Sequence, residues 1–334
     1  MATYKGIQGY SVQKLSSDPP DAAAVGQLWY NSGTGKFKIG TQSAGTWAAG
    51  TAMNTARRWG ASAQRGSPSA GQIGAGGPAT SPSANTEQYN GTSWTEVNNM
   101  TTAAFGKCGT GTQTNAIGTG GVLPATVESW DGTCWTEVNE LNTYRYQAAC
   151  AGTGNTSALV AGGAPGAKVI AETWNGTSWT ETGDLGTARY AVSGGGTATA
   201  ALAMGGIIVP DPAYSTASVE EFNGTSWTEL NGLSTDRGIG AAAVTDTNNA
   251  VYFAGATIPG GGGGVPANQR TLTEKYDGTS WTETGDLATG RAYANGLGTA
   301  GSALCMGGGP LPPGSALTEE WTDPVYSIKT VTVS

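Results

Sequence analysis

Seven residues, Asn-Gly-Thr-Ser-Trp-Thr-Glu, stand at 90–96 and return unchanged at 175–181 and 223–229. The copy at 277–283 opens with Asp, and the copy at 131–137 reads Asp-Gly-Thr-Cys-Trp-Thr-Glu. Their tryptophans, Trp94, Trp135, Trp179, Trp227 and Trp281, are 41, 44, 48 and 54 residues apart, and Trp47 precedes the first by 47. A single-core domain gives its segments no reason to resemble one another. A repeat of this length is one supersecondary unit, stacked so that each copy covers its neighbour's apolar face.

Each period carries more than the turn. A strand-like segment ends in Gly-Gly at 76–77, 120–121, 162–163, 205–206 and 307–308, with Gly255-Ala256 in the fifth copy. After a loop comes Glu-x-aromatic: Glu87 and Tyr89, Glu128 and Trp130, Glu172 and Trp174, Glu220 and Phe222, Glu274 and Tyr276, and a degenerate Glu319 and Trp321. The Asn/Asp-Gly dipeptide then reverses the chain, because these residues accept φ > 0. A four-residue loop Asn-Gly-Thr-Ser places Tyr89 opposite Trp94. A two-residue loop would pair Glu87 with Trp94 and forgo the aromatic cross-strand contact.

Periods of 40–50 residues with strand composition predict propeller blades. We count six four-stranded blades, at 55–97, 100–138, 141–182, 185–230, 233–284 and 287–326. The sixth lacks its own repeat tryptophan. The strand around Trp47 supplies it in one reading, joining the two ends of a ring. In the other, residues 325–334 do so, with Tyr326 in place of Trp.

Composition excludes several functions. Net charge is −8 with no basic run, which argues against phosphate-dominated nucleic-acid binding. No histidine is present, so the commonest general base and zinc ligand is missing. Cys108, Cys134, Cys150 and Cys305 form no CxxC pair and read as small apolar residues. The N-terminus has no signal-peptide apolar stretch and no segment is long enough to span a membrane, so synthesis in the cytoplasm and no membrane insertion are expected. No cofactor or metal is expected, nor catalysis, since nearly every glutamate belongs to the repeat and no odd carboxylate pair stands out.

An arginine recurs in one register: Arg57, Arg145, Arg189, Arg237 and Arg291, with Ala104 in the second copy. One reading is a cationic ring at the channel mouth for an anionic sugar or phosphate. The competing reading is an Arg–Glu pair in every blade, using the Glu of Trp-Thr-Glu or of Glu-x-aromatic, which periodicity favours because repeats preserve packing contacts. The loops after Gly-Gly vary most, at 207–218, 257–273 and 310–318, and mark the expected binding face. Asp211, Tyr214, Asn268, Gln269 and Arg270 are their candidate ligand-binding residues. The sequons at Asn90, Asn175 and Asn223 are explained by the turn, and the glycine run 260–264 reads as a flexible loop.

Gly-Gly, a downstream aromatic and a Trp after a short turn together resemble kelch-type propeller repeats, over about residues 47–326. "MATYKGIQGYSVQKLSSDPP" and "GQLWYNSGTGKFKIG" resemble the N-terminal segment of kelch-like tail-fibre and other virion proteins of tailed bacteriophages, especially marine ones. The expectation is therefore all-β: a six-bladed kelch-like β-propeller over 47–334, preceded by a short attachment segment with a β-hairpin over 1–46. The resemblance implies that residues 1–46 dock on other tail or capsid proteins, with Trp29, Tyr30 and Phe37 of the hairpin as docking candidates. It implies a fibre or tail-tip adhesin for host-surface glycan. A purely structural capsid-decoration or neck protein is the alternative, and assembly as a homo-oligomer stays open.

Overall fold

The computed structural model describes residues 12–19, 24–77, 81–122, 126–209, 214–258, 269–309 and 314–332. These residues form an all-β, propeller-like array with no α-helix among them. The chain divides into two compact units. One is Met1–Gly45 with Asp323–Ser334; the other is Thr46–Thr322.

The larger unit has six four-stranded antiparallel sheets, five of which follow chain order from inner to outer strand. The first runs Ala61–Ser62, Gly71–Gly74, Thr86–Tyr89, Trp94–Val97. In the last, Asn295–Thr299, Ser302–Met306 and Thr318–Thr322 are completed by Thr46–Gly50 from the start of the unit. Trp47 pairs with Trp321, so the first reading of the incomplete sheet holds. The other candidate, Tyr326–Thr330, pairs with Lys36–Gln42 in the smaller unit. Residues 323–334 thus group with the N-terminal segment and not with the repeats, against the expected boundary.

The outer hairpins follow from the repeated turn. Asn90 Oδ1 accepts from the backbone N–H of Thr92 and Ser93 at 2.9 and 2.8 Å, and Gly91 adopts φ 89°. Asp131, Asn175, Asn223 and Asp277 do the same. The four-residue loop puts Tyr89 opposite Trp94 as expected, their rings stacked at 4.9 Å. The Asn side chain is engaged in holding this turn, which accounts for its recurrence.

The first strands of successive sheets touch in sequence, from Ala61–Ser62 through Phe105–Thr112, Ala149–Gly154, Ser193–Thr197 and Ala241–Asp246 to Asn295–Thr299, which returns to Ala61–Ser62. Small residues are needed there. A Cβ at Gly195 would lie 2.5 Å from a Val244 methyl of the next sheet. Farther out, larger side chains fill the wedge between sheets. Leu202, Met204 and Val219 of one pack with Val244, Tyr252 and Trp281 of the next.

Two expected registers are corrected. The first sheet's equivalent of Gly205-Gly206 is Ala75-Gly76, and the fifth's is Ala254-Gly255. Ala75 and Ala254 take the left-handed conformation, at φ 58° and 61°. The second residue of the pair donates its N–H to the next sheet's register position, as Gly206 does to Arg237 O and Gly76 to Ala104 O.

In the smaller unit Gln13–Leu15 runs parallel to Leu28–Asn31, which forms the expected hairpin with Lys36–Gln42. Tyr30 faces Phe37 across it, edge to face at 5.3 Å. Trp29 is only 2% exposed and donates Nε1–H to Asp18 Oδ1 at 3.0 Å. A hydrogen bond from Asn31 and this one hold the Asp18 carboxyl below its usual pKa. Trp29 is therefore a core residue of this unit and offers no surface for docking. Phe37, 41% exposed, does.

Candidate ligand-binding face

The five register arginines are buried. Each donates Nη2–H to the Glu-x-aromatic carboxylate of its own sheet: Arg57 to Glu87, Arg145 to Glu172 at 2.8 Å, Arg189 to Glu220 at 3.0 Å, Arg237 to Glu274 and Arg291 to Glu319. In Arg57, Arg189, Arg237 and Arg291, Nη1 donates to backbone carbonyls on either side of the variable loop, as Arg237 does to Ala254 O and Leu272 O at 3.0 and 2.8 Å, and Arg145 Nη1 donates to Ile170 O. The carboxylate accepts a further N–H just upstream of the register arginine, from Ser234 to Glu274 Oε2 at 2.6 Å. Burial lowers the pKa of Arg57, Arg145 and Arg189, and the paired glutamates oppose it. No guanidinium is left to face a ligand, so the cationic ring does not form and the arginines are struts. The repeated pair is the alternative that periodicity favoured.

The second sheet, with Ala104 in the register, substitutes Lys107. Its Nζ donates to Thr126 O and Oγ1 at 2.6 and 3.0 Å. Burial pushes its pKa down to about 8, opposed by Glu128.

Two residues beyond the register lies a feature with no sequence signature. The N–H of Gly106 donates to Trp59 O, Gln147 to Gly106 O, Ala191 to Gln147 O, Ile239 to Ala191 O, Tyr293 to Ile239 O, and Trp59 to Tyr293 O. Six backbone hydrogen bonds of 2.8–3.2 Å thus close on themselves around the inner strands. All six residues are left-handed, with φ between 53° and 70°. That geometry costs a non-glycine residue roughly 1–2 kcal/mol, most for β-branched Ile239. Closure of the collar holds them there.

The collar rims a small open cleft along the inner strands, lined below by Gln64, Lys107, Cys108, Ser193 and Asn295. Thr119 Oγ1 bridges Cys108 and Cys150 at 3.1 and 3.5 Å, and burial raises the pKa of Cys150. Cys150 and Cys305 are buried as expected, whereas Cys134 is exposed in its turn.

The described ends of the variable loops meet the collar end. Ile207 bridges Tyr190, Ala256 bridges Gly238, Ser315 bridges Arg57 and Gly77 bridges Arg58. On this face Trp59, Tyr146 and Tyr190 are half-buried, and Trp59 packs edge to face on Tyr293 at 4.4 Å. Of the loop candidates, Tyr214 stands 46% exposed on a two-stranded ribbon with Ile207–Ile208. Gln269 bridges Ala256 through its backbone, and Arg270 donates to Thr257 Oγ1 at 3.3 Å, tied into its own loop. Asp211, Asn268 and the glycine run 260–264 lie outside the described residues.

The aromatic and arginine residues next to the register (Arg58, Trp59, Tyr146, Tyr190, Tyr293) escaped the sequence reading. Superposing the six copies on the register position would have shown aromatic side chains gathering at the two positions that follow it. Among the described residues no cluster of three Cys, Asp or Glu could hold a metal. No helix there is long and apolar enough to cross a membrane.

No protein-family model matches the chain, and no curated protein matches it in sequence. A solved structure described as the structure of YjhT is similar in fold. It aligns with a TM-score of 0.62 at 14% identity, over 85% of this chain and 99% of that one. At that identity the likeness bears on the fold alone.

Proposed function

We propose that the chain is a non-enzymatic virion protein of a tailed bacteriophage, a fibre or tail-tip adhesin built on a six-bladed kelch-like propeller. It binds host-surface glycan through the collar end and is held on the particle by the smaller unit. The blade count is supported by the six sheets and the six-membered collar. The binding reading rests on one observation: the described ends of the loops of unequal length lie at the end where half-buried Trp59 and its partner Tyr293 line an open cleft. Flat aromatic faces beside polar groups suit pyranose rings. The virion assignment rests on the N-terminal resemblance, and exposed Phe37, Val25 and Val325 give the smaller unit apolar surface for attachment.

A second reading is a decoration or neck component whose loop end contacts virion proteins. Exposed apolar side chains flanking the loops, Val122, Val209, Tyr214 and Leu317, favour it. Immunogold electron microscopy of intact virions, with antibody against the larger unit, separates the two. Label at fibre or tail tips supports the adhesin. Label over capsid or neck supports the structural role, and unlabelled particles remove both.

A further inference from the structure

Arg58 has no counterpart in the other sheets, where the residue after the register is Phe105, Tyr146, Tyr190, Gly238 or Ala292. Its guanidinium lies 5.0 Å from the Trp59 ring centroid and 5.2 Å from that of Tyr293. Those rings belong to adjacent collar residues, joined by the hydrogen bond from Trp59 N to Tyr293 O. Arg58 is thus propped over a fixed aromatic corner by cation–π contact.

What it lacks is a counter-ion. Its neighbour Arg57 has a carboxylate and two carbonyls. Among the described residues no carboxylate pairs with Arg58; its buried Nε has no hydrogen-bond partner, which it shares with the register arginines. Partial burial pulls its pKa down, and Tyr293 opposes the shift. An arginine stays charged regardless. In a chain of net charge −8, this is a partly desolvated cation left unneutralised on the face where the loops converge. Through Trp59 it adjoins an apolar floor, in which partly buried Trp59, Tyr190 and Ile258 cover the core residues Ile207, Ile239 and Tyr293.

We infer that Arg58, Trp59 and this floor form a subsite for a carboxylated pyranose, a uronic-acid unit of a surface polysaccharide. The guanidinium takes the carboxylate in fork geometry, and the exposed part of Trp59 with the floor takes the C–H face of the ring. A Lys would bring the charge without the fork. The inference rests on the glycan-binding reading and narrows it to one sugar class and one residue.

The test is calorimetric titration of the full chain with a β-1,4-linked glucuronate tetramer, with cellotetraose as its neutral counterpart, and with inorganic phosphate. The wild type is expected to bind the glucuronate tetramer at least about tenfold tighter than cellotetraose, the scale of one charge-assisted hydrogen bond. Arg58→Gln erases that difference and Arg58→Lys keeps part of it, both with unchanged melting. Equal binding of the two tetramers, unchanged affinity in Arg58→Gln, or phosphate binding as tightly as the tetramer overturns the subsite. Adsorption of labelled protein to cells of an infected strain separates this from failure of the adhesin reading. Adsorption that survives Arg58→Gln sinks the subsite alone, whereas no adsorption by the wild type sinks adhesion itself.

Discussion

Trp47 lies directly opposite Trp321, with ring centroids 5.5 Å apart, although the two stand at opposite ends of the larger unit's sequence. Trp47 Nε1–H donates to Thr273 Oγ1 of the preceding sheet at 2.9 Å. Trp135 does the same to Thr86 Oγ1, also at 2.9 Å. The strand from the start of the unit therefore occupies the place of a repeat tryptophan strand. It converts an open row of sheets, with two edges to protect, into a closed one.

Closure by Trp47 has a cost if removed. Trp47→Ala deletes the pair with Trp321, the edge contact with Phe253 at 4.8 Å and the inter-sheet hydrogen bond. The side chain is half-buried, so a loss of about 2–3 kcal/mol is expected, below the ~3–5 of a wholly buried tryptophan. Urea unfolding of the full chain measures it. A change within about 0.5 kcal/mol, the range of ordinary surface substitutions, would place the closing contacts elsewhere.

The register arginines predict an asymmetry between single and double substitutions. Arg237→Met leaves Glu274 buried without its guanidinium and two carbonyls without donors. A loss of about 3–5 kcal/mol is expected, and Arg237→Met with Glu274→Leu should recover part of it by removing the stranded charge. Both variants should adsorb to cells as the wild type does wherever they remain folded. Reduced adsorption by the folded double variant would return a ligand role to this register.

The repeat turn predicts which of its letters matter. Asp277 and Asn90 accept the same pair of N–H groups, so Asp277→Asn should leave the unfolding midpoint unchanged. Gly278 is another matter. Its φ of 92° and an Asn248 Cβ 3.2 Å from the site of an added methyl make Gly278→Ala unfavourable, by about 1–2 kcal/mol. Equal stability of the two variants would show that the hairpin register does not depend on the turn conformation.

What could be read from the sequence was what is local. The Tyr89–Trp94 pairing follows from four residues between them, because an Asx side chain and a glycine fix the turn without outside help. An Arg–Glu pair in every blade was one of two readings, and repetition favoured it; which glutamate took part, that of Trp-Thr-Glu or that of Glu-x-aromatic such as Glu274, was not legible. The collar was not legible. Trp59, Gly106, Gln147, Ala191, Ile239 and Tyr293 share no side-chain chemistry. Their common property is a backbone conformation that ring closure imposes. Tyr326–Thr330 was ambiguous for another reason: its burial alternates as any half-exposed strand's does, and that pattern names no partner. The Gly76-Gly77 match was off by one, because Ala75 takes the conformation that glycine takes elsewhere.

Lys107 carries the last prediction, a dependence of stability on pH. Its ammonium replaces a guanidinium, and burial holds its pKa at about 8, below the ~10.4 of an exposed lysine. Between those values the unfolded chain binds a proton that the folded chain has released, so this group makes stability rise with pH across the window. Below pH 8 both states are protonated and its contribution is flat, at its least favourable. The slope is at most about 1.4 kcal/mol per pH unit. The raised pKa of Cys150 and Cys305 acts in the opposite direction once unfolded thiols ionise at about pH 8.5, and that of Tyr89, Tyr252, Tyr276 and Tyr293 once unfolded tyrosines ionise at about pH 10, so the term is read as a difference between two proteins, between pH 8 and about 9.5. Urea unfolding of the wild type and Lys107→Met over that interval isolates the term. The wild type should gain on the variant as pH rises. A constant difference would mean that Lys107 keeps an ordinary pKa in the folded protein and that Glu128 neutralises it in full.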